Sequence, residues 1–280
     1  MLQTFAKTQV FTKFISNIAR NAMLGRIDVS IVSGLKNLFG FLTILPIALE
    51  PTATMETVSK YFFLCPLVGL VIGIVAGLLG WFLQAILPQL LVGFSVLASL
   101  LILTGFQHFD GLLDFSDAVI VKGDPVTKVN VMHDQYTGAA AVAVGFITTI
   151  LTGLSFGLFR GMQIIIAAIV SELTAKESMV LAAYLGKKPP YKGMGYYAVE
   201  SIKNKHLNLL FSIVLSSLIS YVLIGFTFVY VLAPMIILTL ILTSYANRSL
   251  NGVSGDVLGA GNELCRMISL LALVAIRSTG

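Results

Sequence analysis

Charge is the scarcest commodity in this chain. Of 280 residues only 11% are Asp, Glu, Lys or Arg, while 57% are hydrophobic. A soluble domain carries about 25% charged residues. The mean hydropathy is +0.93. These proportions exclude a soluble enzyme, a disordered regulator and a nucleic-acid-binding domain. Cysteine is nearly absent: Cys65 and Cys265 each lie beside an apolar run, with no Cys-x-x-Cys pair, so a disulfide framework and a thiolate metal site are not expected. The three histidines, His108, His133 and His206, share no metal-ligand spacing. Alternating barrel strands are missing too, and open sheets cannot face lipid. The fold class expected is all-α, a polytopic integral membrane helical bundle.

Apolar runs long enough to span a bilayer are predicted at 61–86, 89–106, 139–158, 162–185, 207–226, 228–246 and 264–276, about seven in all. The run 37–48 is short and suits a re-entrant or interfacial helix. Residues 1–30 place Phe11, Phe14, Ile15 and Ile18 at helical spacing among basic residues, which predicts an amphipathic surface extension rather than a signal peptide. Residues 31–280 are expected to form one membrane-embedded domain.

The net charge is +5. In a membrane chain this reports topology, because Lys and Arg gather in cytoplasmic loops. With 37–48 not crossing, residues 1–36 and the loops 107–138, 186–206 and 247–263 fall on the cytoplasmic side. They carry Lys7, Lys13, Arg20, Arg26, Lys36, Lys122, Lys128, Lys187, Lys188, Lys192, Lys203, Lys205 and Arg248, against Lys60, Arg160 and Arg277 assigned to the opposite side. The expected location is the cell membrane, multi-pass, with lipid around the bundle and the active face cytoplasmic.

That face also collects carboxylates. Asp110, Asp114 and Asp117 stand at i, i+4 and i+7, on one stripe of a helix. Like charges on one stripe repel, and a divalent cation offsets the repulsion. Carboxylates suit Mg²⁺, which is often held together with substrate phosphates. Gly111 leaves room for a phosphate beside the first of them. Asp134 follows in Met132-His133-Asp134-Gln135-Tyr136-Thr137-Gly138. A second glycine-rich run, Gly252-Val253-Ser254-Gly255-Asp256-Val257-Leu258-Gly259-Ala260, carries Asp256, with Glu263 seven residues on. Glycines four apart also serve helix packing in membranes, but packing requires neither acid. Glu172 and Lys176 are placed for an ion pair inside a span. The loop Gly186–Gly195, with Lys187, Lys188 and Lys192, is either an anion-attracting lid or a topology signal. His108 draws notice because it lies two residues before Asp110. Membrane phosphoryl transfer is the chemistry these features suit.

At these residues the sequence resembles the adenosylcobinamide-GDP ribazoletransferase, or cobalamin (5'-phosphate) synthase, family. Thr104–Asp117 is similar to that family's T-G-x-x-H-x-D-G-L-A-D-x-x-D-G. Phe41–Pro46 resembles its early F-L-T-R-L-P, Pro66–Gly69 its P-L-I-G, Met132–Asp134 with Gly138 its M-[KR]-D-S-x-x-G, and Ser254–Ala260 its T-G-D-x-L-G-A, followed by a glutamate at Glu263. The matches run in order over about 37–275. Departures are Ile44 for arginine, Leu113 for alanine, Ala118 for glycine, His133 for a basic residue, Gln135 for serine and Ser254 for threonine; every acid is retained.

The resemblance implies transfer of cobinamide phosphate from adenosylcobinamide-GDP to α-ribazole or its 5'-phosphate, with loss of GMP, dependent on Mg²⁺. It implies Asp110, Asp114 and Asp117 as catalytic metal ligands. Asp134 and Asp256 are the further catalytic carboxylates, their roles not separated. Expected substrate contacts are His108, Gly111, His133, Gly255, Glu263, Lys187, Lys188 and Lys192. Two alternatives remain at this point. The D-G-x-x-D-x-x-D run also resembles the CDP-alcohol phosphotransferases, whose Ala-Arg pair is missing here. A transporter could use Glu172, Lys176 and Arg266 as an ion path.

Overall fold

The computed structural model describes residues 31–47 and 53–279, and every regular element among them is helical. The predicted amphipathic extension, 1–30, lies outside the described residues. The helices are α1 (Ile31–Leu42), α2 (Met55–Ser59), α3 (Cys65–Leu83), α4 (Gln89–Leu103), α5 (Gln107–Ile120), α6 (Pro125–Met132), α7 (Ala139–Gly157), α8 (Gln163–Leu185), α9 (Met194–Ile202), α10 (His206–Ile224), α11 (Phe228–Ser249) and α12 (Gly255–Thr279). The outward faces are apolar: Phe82, Phe146, Val222 and Tyr230 are all exposed. In a chain with so few charges that exposure is lipid-facing surface.

The axis of the bundle is α8, buried almost throughout from Ile164 to Ala183. It is a polar axis, since Glu172, Lys176 and Glu177 lie in its middle. The span predicted at 162–185 therefore exists as a helix, but it is the buried one that others wrap. Helix α3 packs on it through glycines. A Cβ on Gly73 would come within 2.8 Å of the Ala168 carbonyl, and one on Gly77 within 2.7 Å of Ile165 Cα. Such close approach is how small residues associate helices in lipid. The same contacts set α3 antiparallel to α8: Gly69 meets Glu172 and Lys176, whereas Gly80 meets Ile164. Lys60 thus sits at the same end as residue 185. The sequence reading placed it opposite, and the antiparallel pairing corrects that, strengthening the charge asymmetry.

By length and composition, four stretches can cross a membrane: Phe62–Leu83, Ala139–Gly157, His206–Ser249 and Gly255–Ser278. A fifth arises if α4 and α5, bent by 93° at their junction, count as one broken span. The 44-residue stretch His206–Ser249 doubles back. Tyr184 bonds to His206, and Asn247 donates to the Leu185 carbonyl at 3.3 Å, so both its ends meet the C-terminal end of α8. A straight helix of that length would separate those ends by about 66 Å. The turn is at Gly225, with φ +64°. The predicted spans 207–226 and 228–246 are its two arms.

Two boundaries differ from expectation in ways that matter for the site. The last span starts at Gly255, so most of the expected loop 247–263 is helix. The expected loop 107–138 holds two helices, α5 and α6. Between α4 and α5 the chain turns through Gly105 (φ +58°) and Phe106 (φ +60°). A left-handed phenylalanine is an uncommon, strained conformation, and here it redirects the acidic helix across the end of the bundle. The short helix α1 begins and ends earlier than the run 37–48. It docks on that bend: Gln107 Nε2 donates to the Phe41 carbonyl at 3.1 Å, and Ile44 N–H donates to the Leu103 carbonyl at 2.8 Å.

Candidate active site

The acidic stripe is helical, as its spacing predicts, and α5 lies against the start of α12. A Cβ on Gly111 would meet Asp256 Cα at 2.9 Å, and a Cβ on Gly259 would meet the His108 carbonyl at 3.0 Å. The two motifs are thus reciprocal: a glycine of each receives the backbone of the other. Gly111 serves this packing and not the phosphate approach expected of it. Gly255 is the open glycine, exposed and with no atom within 4 Å of its would-be Cβ.

Asp110 and Asp114 are half-buried on α5, and Asp117 is buried. The Asp117 carboxylate accepts hydrogen bonds from Gly138 N–H at 2.6 Å and Ala141 N–H at 3.0 Å. Both are unpaired donors at the N-terminus of α7, where a negative charge is favoured. Asp117 is therefore a tertiary cap, linking α5 to α7. Among the described residues no group of three or more His, Cys, Asp or Glu is arranged to hold a metal ion. Asp110 and Asp114 stand one helical turn apart on the same stripe.

Asp256 stands in the first turn of α12, with its side chain 28% exposed. Ser254 starts the helix, accepting from Val257 N–H at 3.2 Å and donating to Asp256 Oδ2 at 3.3 Å. His133 Nε2 lies 3.8 Å from the same oxygen, and the charge of Asp110 also acts on Asp256. Tyr191 completes the group: its ring stands edge-on to His133 at 5.0 Å, and its hydroxyl is buried. Burial, with the Asp256 charge adding, pushes that phenol up to about 12.

The cobalamin-5-phosphate synthase family matches residues 34–274, which includes every residue of this group. The chain belongs to that family. A relative from Picrophilus torridus, named adenosylcobinamide-GDP ribazoletransferase, is 30% identical over 245 residues, covering 87% of this chain and 98% of its own. Relatives of the same name from Clostridium novyi (30% identical; 86% and 96% covered) and Methanosarcina mazei (29% identical; 85% and 90% covered) are similar. No solved structure matches.

The remaining candidate residues of this cobalamin-5-phosphate synthase family member separate by place. Asp134 is exposed, and its Oδ1 accepts from Gln135 N–H at 2.6 Å and Tyr136 N–H at 3.3 Å, shaping its own turn. The loop 186–195 packs on 252–254: a Cβ on Gly252 would meet the Lys187 carbonyl at 2.6 Å, and Val253 N–H donates to that carbonyl at 2.9 Å. It thereby carries Lys187 and Lys192, both exposed, to the start of α12. Lys188 pairs with Glu200 at 3.1 Å, which holds its ammonium above the ordinary lysine range.

Two expected substrate contacts, His108 and Glu263, are instead buried, 4% and 2% exposed. Glu263 belongs to an interior charge cluster. Arg266 binds Glu172 and Glu263, Lys176 Nζ lies 3.4 Å from Glu172 and 2.7 Å from Asn262 Oδ1, and Asn262 donates to Glu263 at 3.0 Å. Two cations face two carboxylates, so the interior charge balances. The expected Glu172–Lys176 pair is present, and the residues of the transporter alternative are bonded to one another. Glu177 takes hydrogen bonds from Ser212 at 2.6 Å and Ser216 at 2.9 Å. Tyr191 is the residue that sequence reasoning missed. Its only signal was an aromatic among lysines and prolines, and its approach to His133 depends on the glycine contacts between two distant loops.

Proposed function

We propose that this chain joins adenosylcobinamide-GDP to α-ribazole or α-ribazole 5'-phosphate, releasing GMP, at the last stage of cobalamin nucleotide-loop assembly. The observation that carries the reading is the crossing of α5 and α12, which sets Gly111, the residue after Asp110, against the Asp256 backbone at one end of the bundle, in a chain that matches the family over 34–274. We place that end at the cytoplasmic face of the cell membrane, because it carries the lysine-rich loop 186–195.

The reaction is an attack by a ribose hydroxyl on the phosphorus bearing the cobinamide arm. The anhydride oxygen to GMP takes the electron pair, and the hydroxyl proton goes to a base. Asp110 and Asp114 fit one Mg²⁺, which ordinarily takes one or two carboxylates together with substrate phosphates. Bound there, the ion would neutralise charge on the diphosphate. Asp117 fixes α5 against α7 so that the other two acids keep their heading. Lys187 and Lys192 draw the anionic donor to the mouth of the site. Gly255 leaves the first turn of α12 open for it. Asp256 is placed for the proton-handling side, whereas Asp134 is bound up in its own turn.

The test is GMP release by purified, detergent-solubilised protein given adenosylcobinamide-GDP and Mg²⁺, with and without α-ribazole 5'-phosphate. The reading requires release that depends on the acceptor. No release from folded protein, with either acceptor, would sink it.

A further inference from the structure

Helix α11 carries a feature that the transfer does not use. A groove of about 540 Å³ runs along it, lined by Leu240, Ile241, Ser244, Tyr245, Arg248 and Ser249. Its character changes along its length. Leu240 and Ile241 are apolar and exposed, Ser244 is polar, and Arg248 is charged and exposed. From Ile241 to Arg248 a helix rises about 10 Å. The charged end lies beside Asn247, which bonds the Leu185 carbonyl at the C-terminal end of α8. That is the end placed at the cytoplasmic face above, so Ile241 and Leu240 lie deeper in the bilayer. The charged end is also uncompensated. Arg248 forms no ion pair among the described residues, nor does Lys128 of α6. Lys128 Nζ bonds the Tyr245 hydroxyl at 2.7 Å and stands 5.1 Å from the ring centre. Asp124, one turn before Lys128, accepts from Thr127 N–H instead. Tyr245 in turn donates to the Val119 carbonyl at 3.3 Å and stands edge-on to Phe115 at 6.0 Å, which sets the groove against α5. A tyrosine among cations at the end of an apolar helix marks the headgroup level of a membrane.

We propose that this groove is a specific site for one anionic phospholipid of the cytoplasmic leaflet. Arg248 and Lys128 take the headgroup phosphate. Ser244 stands at the level of the glycerol oxygens, and an acyl chain lies along Ile241 and Leu240. Lipid elsewhere around the bundle meets apolar faces and is indifferent to the headgroup; this site selects by charge. The N-terminal extension does not suit the groove, because residues 1–30 carry Lys7, Lys13, Arg20 and Arg26 against the single acid Asp28. The inference does not depend on the reaction proposed above.

The full chain is reconstituted in nanodiscs of equal parts phosphatidylcholine and phosphatidylglycerol, then released into mild detergent. Native mass spectrometry counts the lipid that stays bound. Wild type should keep one phosphatidylglycerol per chain in preference to phosphatidylcholine. Arg248→Ala and Lys128→Gln should each cut that preference about fivefold, the contribution of one basic residue at an anionic leaflet, and together about 25-fold. Ser244→Trp fills the groove without touching a charge. It should abolish retention, and it serves if the charge variants do not fold. Inorganic phosphate should not displace the lipid, since it has no chain to lay along the apolar end. Equal retention of the two lipids by wild type would overturn the proposal, as would a double variant with wild-type preference. Displacement by inorganic phosphate or adenosylcobinamide-GDP would make the groove a plain anion subsite and overturn it too. A wild type that keeps no lipid overturns it as well, and leaves the groove to the extension or to a second copy of the chain.

Discussion

Gly111 and Asp256 touch backbone to backbone: a Cβ on residue 111 would come within 2.9 Å of Asp256 Cα. The obstacle is main chain of the first turn of α12, which cannot swing aside as a side chain could. Gly111→Ala should therefore push α5 off α12 and cost about 1–3 kcal/mol. Activity should fall by more than that loss of stability explains. Thermal unfolding in detergent together with GMP release checks both; an alanine variant of normal stability and rate would mean the helices do not meet there.

Asp117 and Asp110 share a stripe yet should fail differently. Asp117→Ala removes the acceptor for Gly138 and Ala141 N–H, and loss of a cap costs about 0.5–2 kcal/mol. Asp110→Asn should lose far more transfer activity than any loss of stability explains. Melting curves together with GMP release separate the roles, and an Asp110→Asn variant that keeps its activity when folded would contradict the assignment.

The interior cluster makes a third case. Glu172→Ala leaves Arg266 and Lys176 facing only one carboxylate, and breaking a buried pair costs about 3–5 kcal/mol. Replacing Glu172, Lys176, Glu263 and Arg266 together by apolar residues of similar volume should be milder than the single change. Expression level and melting temperature in detergent report the order.

Asp124 starts α6, accepting from Thr127 N–H at 2.8 Å. The Thr127 bonds hold its carboxyl below the ordinary aspartate range. A carboxyl lowered in the folded state stabilises above its unfolded pKa, and that contribution disappears as pH falls through the lower folded value. Helix α6 leads directly to His133, so the protection of amides 125–132, relative to intrinsic exchange at the same pH, should fall at acid pH. Asp124→Ala should show the same reduced protection at neutral pH.

Apolar run length made the membrane helices legible, because lipid demands it directly. The acidic stripe was legible because helical period alone aligns Asp110, Asp114 and Asp117. What escaped was tertiary. Nothing local marks Asp117 as a partner of Gly138, twenty-one residues on, or separates it from Asp110. Glu263 was grouped with Asp256 because they are seven apart, yet Arg266 at i+3 draws it inward. Gly111 was read as room for a ligand, although room and close packing have the same sequence signature. The start of α12 was hidden because Asp256 and three glycines depress the apolar signal of a helix that continues to Thr279.

The most direct test of the central claim follows the corrinoid itself. Purified protein is given adenosylcobinamide-GDP, α-ribazole 5'-phosphate and Mg²⁺, and GMP and corrinoid products are quantified together by chromatography and mass spectrometry. The account predicts one adenosylcobalamin 5'-phosphate for each GMP, stopping on chelation of Mg²⁺, returning on its replacement and missing in Asp110→Asn. GMP accompanied only by cobinamide phosphate would mean hydrolysis, and unchanged donor would mean no reaction; either contradicts a transferase built on the α5–α12 crossing.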